Sequence, residues 1–208
     1  TALDVTTNTL LTYLDFQSNT SISSLDISTN VSLTYLNCQS TQVGFGGLDL
    51  SSNLSLEELW CSNSLFTALD VSSNISLTTL RCFSNNLSSL DLSNNINLEE
   101  LHCASNDFDS LDLFLNSNLT YFNAKNNTNL VFLNIKNGNN VSISTSDFDI
   151  TNTPNLLCIT VDNVAYSNIN WTDIHSNNTF STNCAVELGC MDPISCNYSP
   201  SAIISDSV

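Results

Sequence analysis

His102 and Cys103 stand side by side in the stretch "NLEELHCASN", next to the carboxylates of Glu99 and Glu100. An imidazole, a thiol and two acids so close together are the groups that bind a transition metal or make a thiolate nucleophile. The rest of the chain argues against both. The other histidine, His175, is far away in sequence, and no C-x-x-C pair or His cluster supplies metal-ligand spacing. Neither histidine accompanies a G-x-S-x-G elbow, and there is no phosphate-binding loop. The acid pairs Glu57-Glu58 and Glu99-Glu100 recur with a repeat, and adjacent residues on a strand face opposite ways. The chain is therefore expected to be no enzyme and to require no cofactor.

Charge narrows the partners. Acids outnumber bases 20 to 3, for a formal net charge of −17. Such a chain is not expected to bind nucleic acid, which needs clustered Lys and Arg, or to dock on anionic membranes. It would attract cations. No apolar run is long enough to cross a bilayer as a helix, so no membrane insertion is expected. The opening "TALDVTTNTL" has neither the basic nor the apolar region of a signal peptide and already reads as mid-repeat, so the chain is expected to be a fragment of a longer exported protein.

The elements that would position these groups follow from internal repetition. A Leu-Asp-aliphatic triple starts at Leu3 and recurs at Leu25, Leu48, Leu69, Leu90 and Leu111, in steps of 22, 23, 21, 21 and 21 residues. Three residues after each triple comes Asn: Asn8, Asn30, Asn53, Asn74, Asn95 and Asn116. Between the triples runs a second motif, "LTYLDFQSN" in the first period and "LEELHCASN" in the fifth. Its sixth position is Phe16, Cys38, Cys61, Cys82, Cys103 and Ala124; its ninth is Asn19, Thr41, Ser64, Asn85, Asn106 and Asn127. Apolar residues alternating around one polar residue predict short strands, and the Asn predicts a turn whose amide satisfies backbone groups of the next coil. No segment has helical periodicity, so very little helix is expected. One coil cannot bury enough apolar surface to offset its ordering entropy, so coils must stack. The fold class expected is mainly β: a solenoid of parallel strands about 4.8 Å apart.

The run "LEELHCASNDFDSLDLFLNSN" resembles the leucine-rich repeat, in its short nested form LxxLxCxxNxLxxLDLxxN. The resemblance covers about residues 1–160 and implies a right-handed solenoid with a parallel sheet along its inner face, as in bacterial secreted and cell-surface proteins. Thr41 and Ser64 depart from the Asn column, and the insert "TQVGFGG" predicts a bulge or slight kink near Val43 to Gly47. Residues 1–155 are assigned to the solenoid. Residues 156–184, with Tyr166, Trp171 and Phe180, are assigned to a C-terminal cap over the exposed core. Residues 185–208, with "GCMDPISCNYSPSA", resemble a small Cys module of bacterial type IX-exported proteins; its usual final Cys is missing, so it reads as cut short.

Cys38, Cys61, Cys82 and Cys103 fall in one inward column and are expected to be buried free thiols, because in-register parallel neighbours are poorly placed to bond. Cys158 and Cys184 bracket the cap, and Cys190 and Cys196 bracket the tail turn; each pair is expected to form a disulfide. That implies an oxidising, extracellular or cell-surface setting.

Two faces remain. Asp26, Asp49, Asp70, Asp91 and Asp112, with Asp4, should form an outward row about 5 Å apart, where like charges repel by about 0.8 kcal/mol in water and about 3 kcal/mol at an effective dielectric near 20. Each carboxylate either takes hydrogen bonds from the Ser or Thr beside it, or shares a bridging Ca²⁺ with its neighbour. The other strand carries variable outward residues: Tyr13, Tyr35, Glu58, Trp60, Arg81, Phe83, Glu100, His102 and Tyr121. Aromatic and Arg side chains are the usual anchors of an interface. The function expected is extracellular recognition or adhesion through this concave face, with a protein or polysaccharide as partner. The alternative is a rigid spacer, with or without bound calcium, in a large bacterial surface protein.

Overall fold

A computed structural model describes residues 1–184. The Cys190–Cys196 pairing and the module assigned to 185–208 lie outside the described residues. In chain order the elements are β1 (Ala2–Asp4), β2 (Tyr13–Asp15), β3 (Ser24–Asp26), β4 (Tyr35–Asn37), α1 (Val43–Gly46), β5 (Glu58–Trp60), β6 (Thr79–Arg81), β7 (Glu100–His102), β8 (Ser110–Asp112), β9 (Tyr121–Asn123), β10 (Phe132–Asn134), β11 (Phe148–Asp149), β12 (Cys158–Thr160), α2 (Val164–Asn170) and β13 (Thr179–Ser181). The chain winds as a parallel-strand solenoid of about eight turns.

The variable motif builds one seven-stranded parallel sheet, in the order β2-β4-β5-β6-β7-β9-β11. Its register is that of the repeat: Leu36 pairs with Leu59, Leu59 with Leu80, Leu80 with Leu101, and Leu101 with Phe122. These middle residues are wholly buried, which turns both flanking residues of each strand outward. One position later, Cys38, Cys61, Cys82 and Cys103 are also wholly buried, and all four are free thiols.

Turns repeat as faithfully as strands. Ser18, Ser40, Asn63, Ser84, Ser105, Asn126 and Asn152 hold left-handed φ values of 53–63°. The next residue plugs the coil end. Asn85 donates its amide to the carbonyls of Cys82 and Cys61, and its Oδ1 accepts the N–H groups of Ser64 and Phe66. Where Asn is replaced, hydroxyls take over: Thr41 Oγ1 donates to Cys38 O at 2.7 Å and Ser64 Oγ to the same carbonyl at 2.8 Å. In the first Asn column the Nδ2 groups of Asn30, Asn53, Asn74, Asn95 and Asn116 each donate to two carbonyls of the preceding coil at 2.7–3.1 Å.

The Asp-bearing triples behave differently. Those at Leu3 and Leu25 pair as β1-β3, and the one at Leu111 ends a four-stranded sheet, β8-β10-β12-β13. The identical-looking triples at 48–50, 69–71 and 90–92 belong to no strand. The coils therefore close up on the variable face and open on the Asp face. The insert at 43–47 makes a single helical turn, α1, instead of a bulge. A side chain at Gly44 would sit 2.5 Å from Ser64 O and Phe66 N, so this turn requires glycine.

After Asn127 the ladder continues with a broken period. β11 returns to the variable sheet, and β12 and β13 add parallel rungs on the Asp side. Trp171 follows α2 and stacks on Phe148 at 4.0 Å, with its Nε1 donating to Ile143 O. Both rings are buried. A disulfide joins Cys158 and Cys184.

Candidate functional site

Strand register brings the variable residues into one continuous track across the seven-stranded sheet. Tyr13 stacks on Tyr35 with ring centroids 4.3 Å apart, and Tyr35 tilts against Trp60 at 5.6 Å. The Arg81 guanidinium lies over Trp60, 4.2 Å from the ring centroid. Arg81 Nη2 meets Glu100 Oε2 at 3.4 Å, and the same oxygen meets His102 Nε2 at 3.2 Å. His102 then stacks on Tyr121 at 4.1 Å. Seven of the nine residues picked out by type thus form one chain of contacts. Glu58 lies in register between Tyr35 and Thr79. Phe83 sits apart, beside a shallow hollow of about 280 Å³ with His102, Ala104 and Lys125.

The track is partly buried. Trp60 Nε1, Ser62 Oγ and Arg81 Nε are buried without a hydrogen-bond partner at its centre. Burial pushes the Tyr35 hydroxyl up to about 12, helped by Tyr13. Burial is also the main influence on His102 and pulls its pKa down; the Glu100 hydrogen bond opposes this, and Arg81 adds to it. His102 is accordingly a neutral ring at physiological pH, joined to Arg81 through a shared carboxylate. The neighbouring thiol takes no part: Cys103 points into the core, where burial drives its pKa far up. The His-Cys pair that opens the chemical question is divided between the two sides of a strand.

One group on this face was missed from the sequence. Asp149 forms an ion pair with Lys125 at 3.4 Å at the far edge of the sheet. It was hidden because β11 follows a break in the period. Asp15, which projects on the same face, accepts from Asn37 Nδ2 at 3.1 Å and lies 3.5 Å from the Tyr13 hydroxyl.

On the opposite face the Asp row is engaged locally. Asp4, Asp26, Asp49, Asp70, Asp91 and Asp112 each accept the backbone N–H two residues on. Hydroxyl and N–H donors of Thr6, Ser28, Ser51 and Ser72 hold the first four below the ordinary carboxylate value; for Asp91 the Ser93 N–H leads, then its hydroxyl. Among the described residues no three His, Cys, Asp or Glu side chains converge as metal ligands.

No protein-family model and no curated protein matches the chain. Solved structures do. The functional domain of InlJ from Listeria monocytogenes, described as including a cysteine ladder, is 27% identical, with a TM-score of 0.50 over 87% of this chain and 46% of that one. The internalin InlF from the same organism is 20% identical, with a TM-score of 0.56 over 86% of this chain and 59% of that one. A leucine-rich-repeat protein of Leptospira interrogans is 16% identical, with a TM-score of 0.55 over 82% and 44%. The chain thus spans about half the length of these structures. Repeat, register and shared architecture make it a leucine-rich-repeat protein.

Proposed function

We propose that the chain is a non-enzymatic extracellular recognition or adhesion module that grips a protein partner on the seven-stranded face. The observation carrying this reading is the unbroken track from Tyr13 to Tyr121, set on a rigid sheet. Large, ordered aromatic and Arg side chains bind without first losing much freedom, which is what makes them anchors. The resemblance to internalin structures and the Cys158–Cys184 disulfide support an extracellular setting.

The test screens the chain and its Trp60→Ala/Arg81→Ala variant against panels of surface proteins and of glycans. A protein ligand bound by the first and lost in the second is the expected result. A ligand bound equally by both would remove the assignment, and a ligand found only among glycans would replace the protein partner with a polysaccharide.

A further inference from the structure

The two residues after each Leu-Asp-aliphatic triple are small and polar in five coils: Thr6-Thr7, Ser28-Thr29, Ser51-Ser52, Ser72-Ser73 and Ser93-Asn94. In the sixth coil they are Phe114-Leu115. The fold does not need them, because five coils make the same turn with hydroxyl and amide side chains. Nor are they hidden: Phe114 is 56% and Leu115 50% exposed.

They border a hollow. Here β8 is the end strand of its sheet, and residues 89–92 of the preceding coil form no strand beside it. The gap between the two coils is about 440 Å³, lined by Leu90, Leu92, Phe114 and Leu115 with Asp91 and Asp112 on its walls. That volume is in the range of ligand-sized pockets, roughly 300–1,000 Å³. The charge is one-sided. Arg81 lies on the other face, Lys125 is paired with Asp149, and Lys136 Nζ donates to Thr182 O. In this coil Phe114 also takes the place of the hydroxyl that serves the Asp of other coils. Asp112 Oδ1 accepts from the Phe114 N–H and Asn134 Nδ2, both at 3.0 Å, and neither bond uses its second oxygen.

We propose that this hollow is a second binding site, and that its occupant is an extended basic segment of a partner protein in which an aromatic or branched side chain is flanked by Lys or Arg. The apolar walls take the central side chain. Asp91 and Asp112 take the flanking cations, and the open edge of β8 offers backbone groups to an extended chain. The site is independent of the concave track.

The test is a titration of the isotope-labelled chain, followed by NMR, with a peptide alternating Lys and Phe. Shifts are expected at Leu90 to Ser93 and at Ser110 to Leu115, weakening as salt is raised. Phe114→Ser/Leu115→Ser installs the residues other coils already use, so the fold is kept; affinity is expected to fall roughly tenfold or more. Trp60→Ala/Arg81→Ala should bind the peptide as the parent chain does. Three outcomes would overturn the site: no shifts, unchanged affinity after Phe114→Ser/Leu115→Ser, or equal binding of a Lys/Gly peptide, which would mean general attraction to the Asp row.

Discussion

Arg81 lies flat over Trp60, its guanidinium carbon 4.2 Å from the indole centroid, while Nη2 reaches Glu100 on the next strand. One side chain thus ties together β5, β6 and β7 on the exposed face. A partly exposed cation–π contact contributes about 0.5–1 kcal/mol, and an exposed ion pair adds at most about as much. Arg81→Ala should therefore destabilise the chain by about 1 kcal/mol, and Arg81→Lys should recover little because it loses the planar stack. Denaturant unfolding measures the first. Trp60 emission in a Trp171→Phe background reports the second.

Cys38, Cys61, Cys82 and Cys103 should be chemically silent while the coils are stacked. Burial pushes Cys38 and Cys82 up to about 12. Only the thiolate reacts with aromatic disulfide reagents, so labelling of these four should track unfolding. Cys82→Ser should cost about 1–3 kcal/mol, since it leaves a buried hydroxyl without a partner. Rapid labelling of the folded chain at any of the four positions would contradict the column.

Leu65 is a place to gain stability. It has a φ of +66° and is 46% exposed. Among the described residues the other non-glycine residues with positive φ are all Ser or Asn. Left-handed backbone costs an ordinary residue about 1–2 kcal/mol, and Asn tolerates it better. Leu65→Asn should raise stability by about 0.5–1 kcal/mol, read as a higher denaturant midpoint with an unchanged slope.

Stability should fall as the solution is acidified from neutrality, and His102 starts the fall. Its folded pKa lies below 6.5, so the unfolded chain binds the proton first. Its contribution is complete above 6.5 and is lost as pH drops through the lowered folded value. The carboxylates of Asp4, Asp26, Asp49, Asp70 and Asp91, also lowered, give a second loss below about pH 4. His102→Gln should flatten the first segment and leave the second. Melting curves across pH check both.

Calcium and EDTA should leave the melting temperature unchanged. Each Asp carboxylate in the row already has backbone or hydroxyl donors, and no three acids converge among the described residues. A calcium-dependent rise of Tm, by ligand linkage, would reinstate the bridging ion.

The stacked columns were legible because each has a separate physical reason that repeats. Leu at 59, 80 and 101 fills the core, and Asn at 85 and 106 closes the coil ends. The exposed track was legible as residue types but not as contacts: the stack of Tyr13 on Tyr35 needs only register, whereas the carboxylate shared by Arg81 and His102 depends on rotamers. The loss of pairing at 48–50, 69–71 and 90–92 was not legible. Those triples read the same as the paired ones at 3–5, 25–27 and 111–113. Phe114-Leu115 was legible in principle, as the one break in an otherwise uniform Ser/Thr/Asn slot.

The two sides of the solenoid also differ as mechanical elements. From β2 to β11 the variable face is one continuous backbone ladder, whereas among the described residues the Asp face pairs as strands only at β1-β3 and β8 to β13, and the coils between are tied by Asn side chains to backbone carbonyls. A load that stretches the variable face must extend hydrogen bonds in every rung at once. A load that flexes the molecule about that ladder works on the side-chain bonds that Asn53, Asn74, Asn95 and Asn116 make to the preceding coil. The backbone-bonded layer is thus on the side that carries Trp60 and Arg81. Bending the molecule widens or narrows the spaces between Asp49, Asp70, Asp91 and Asp112 while the spacing of the aromatic track holds.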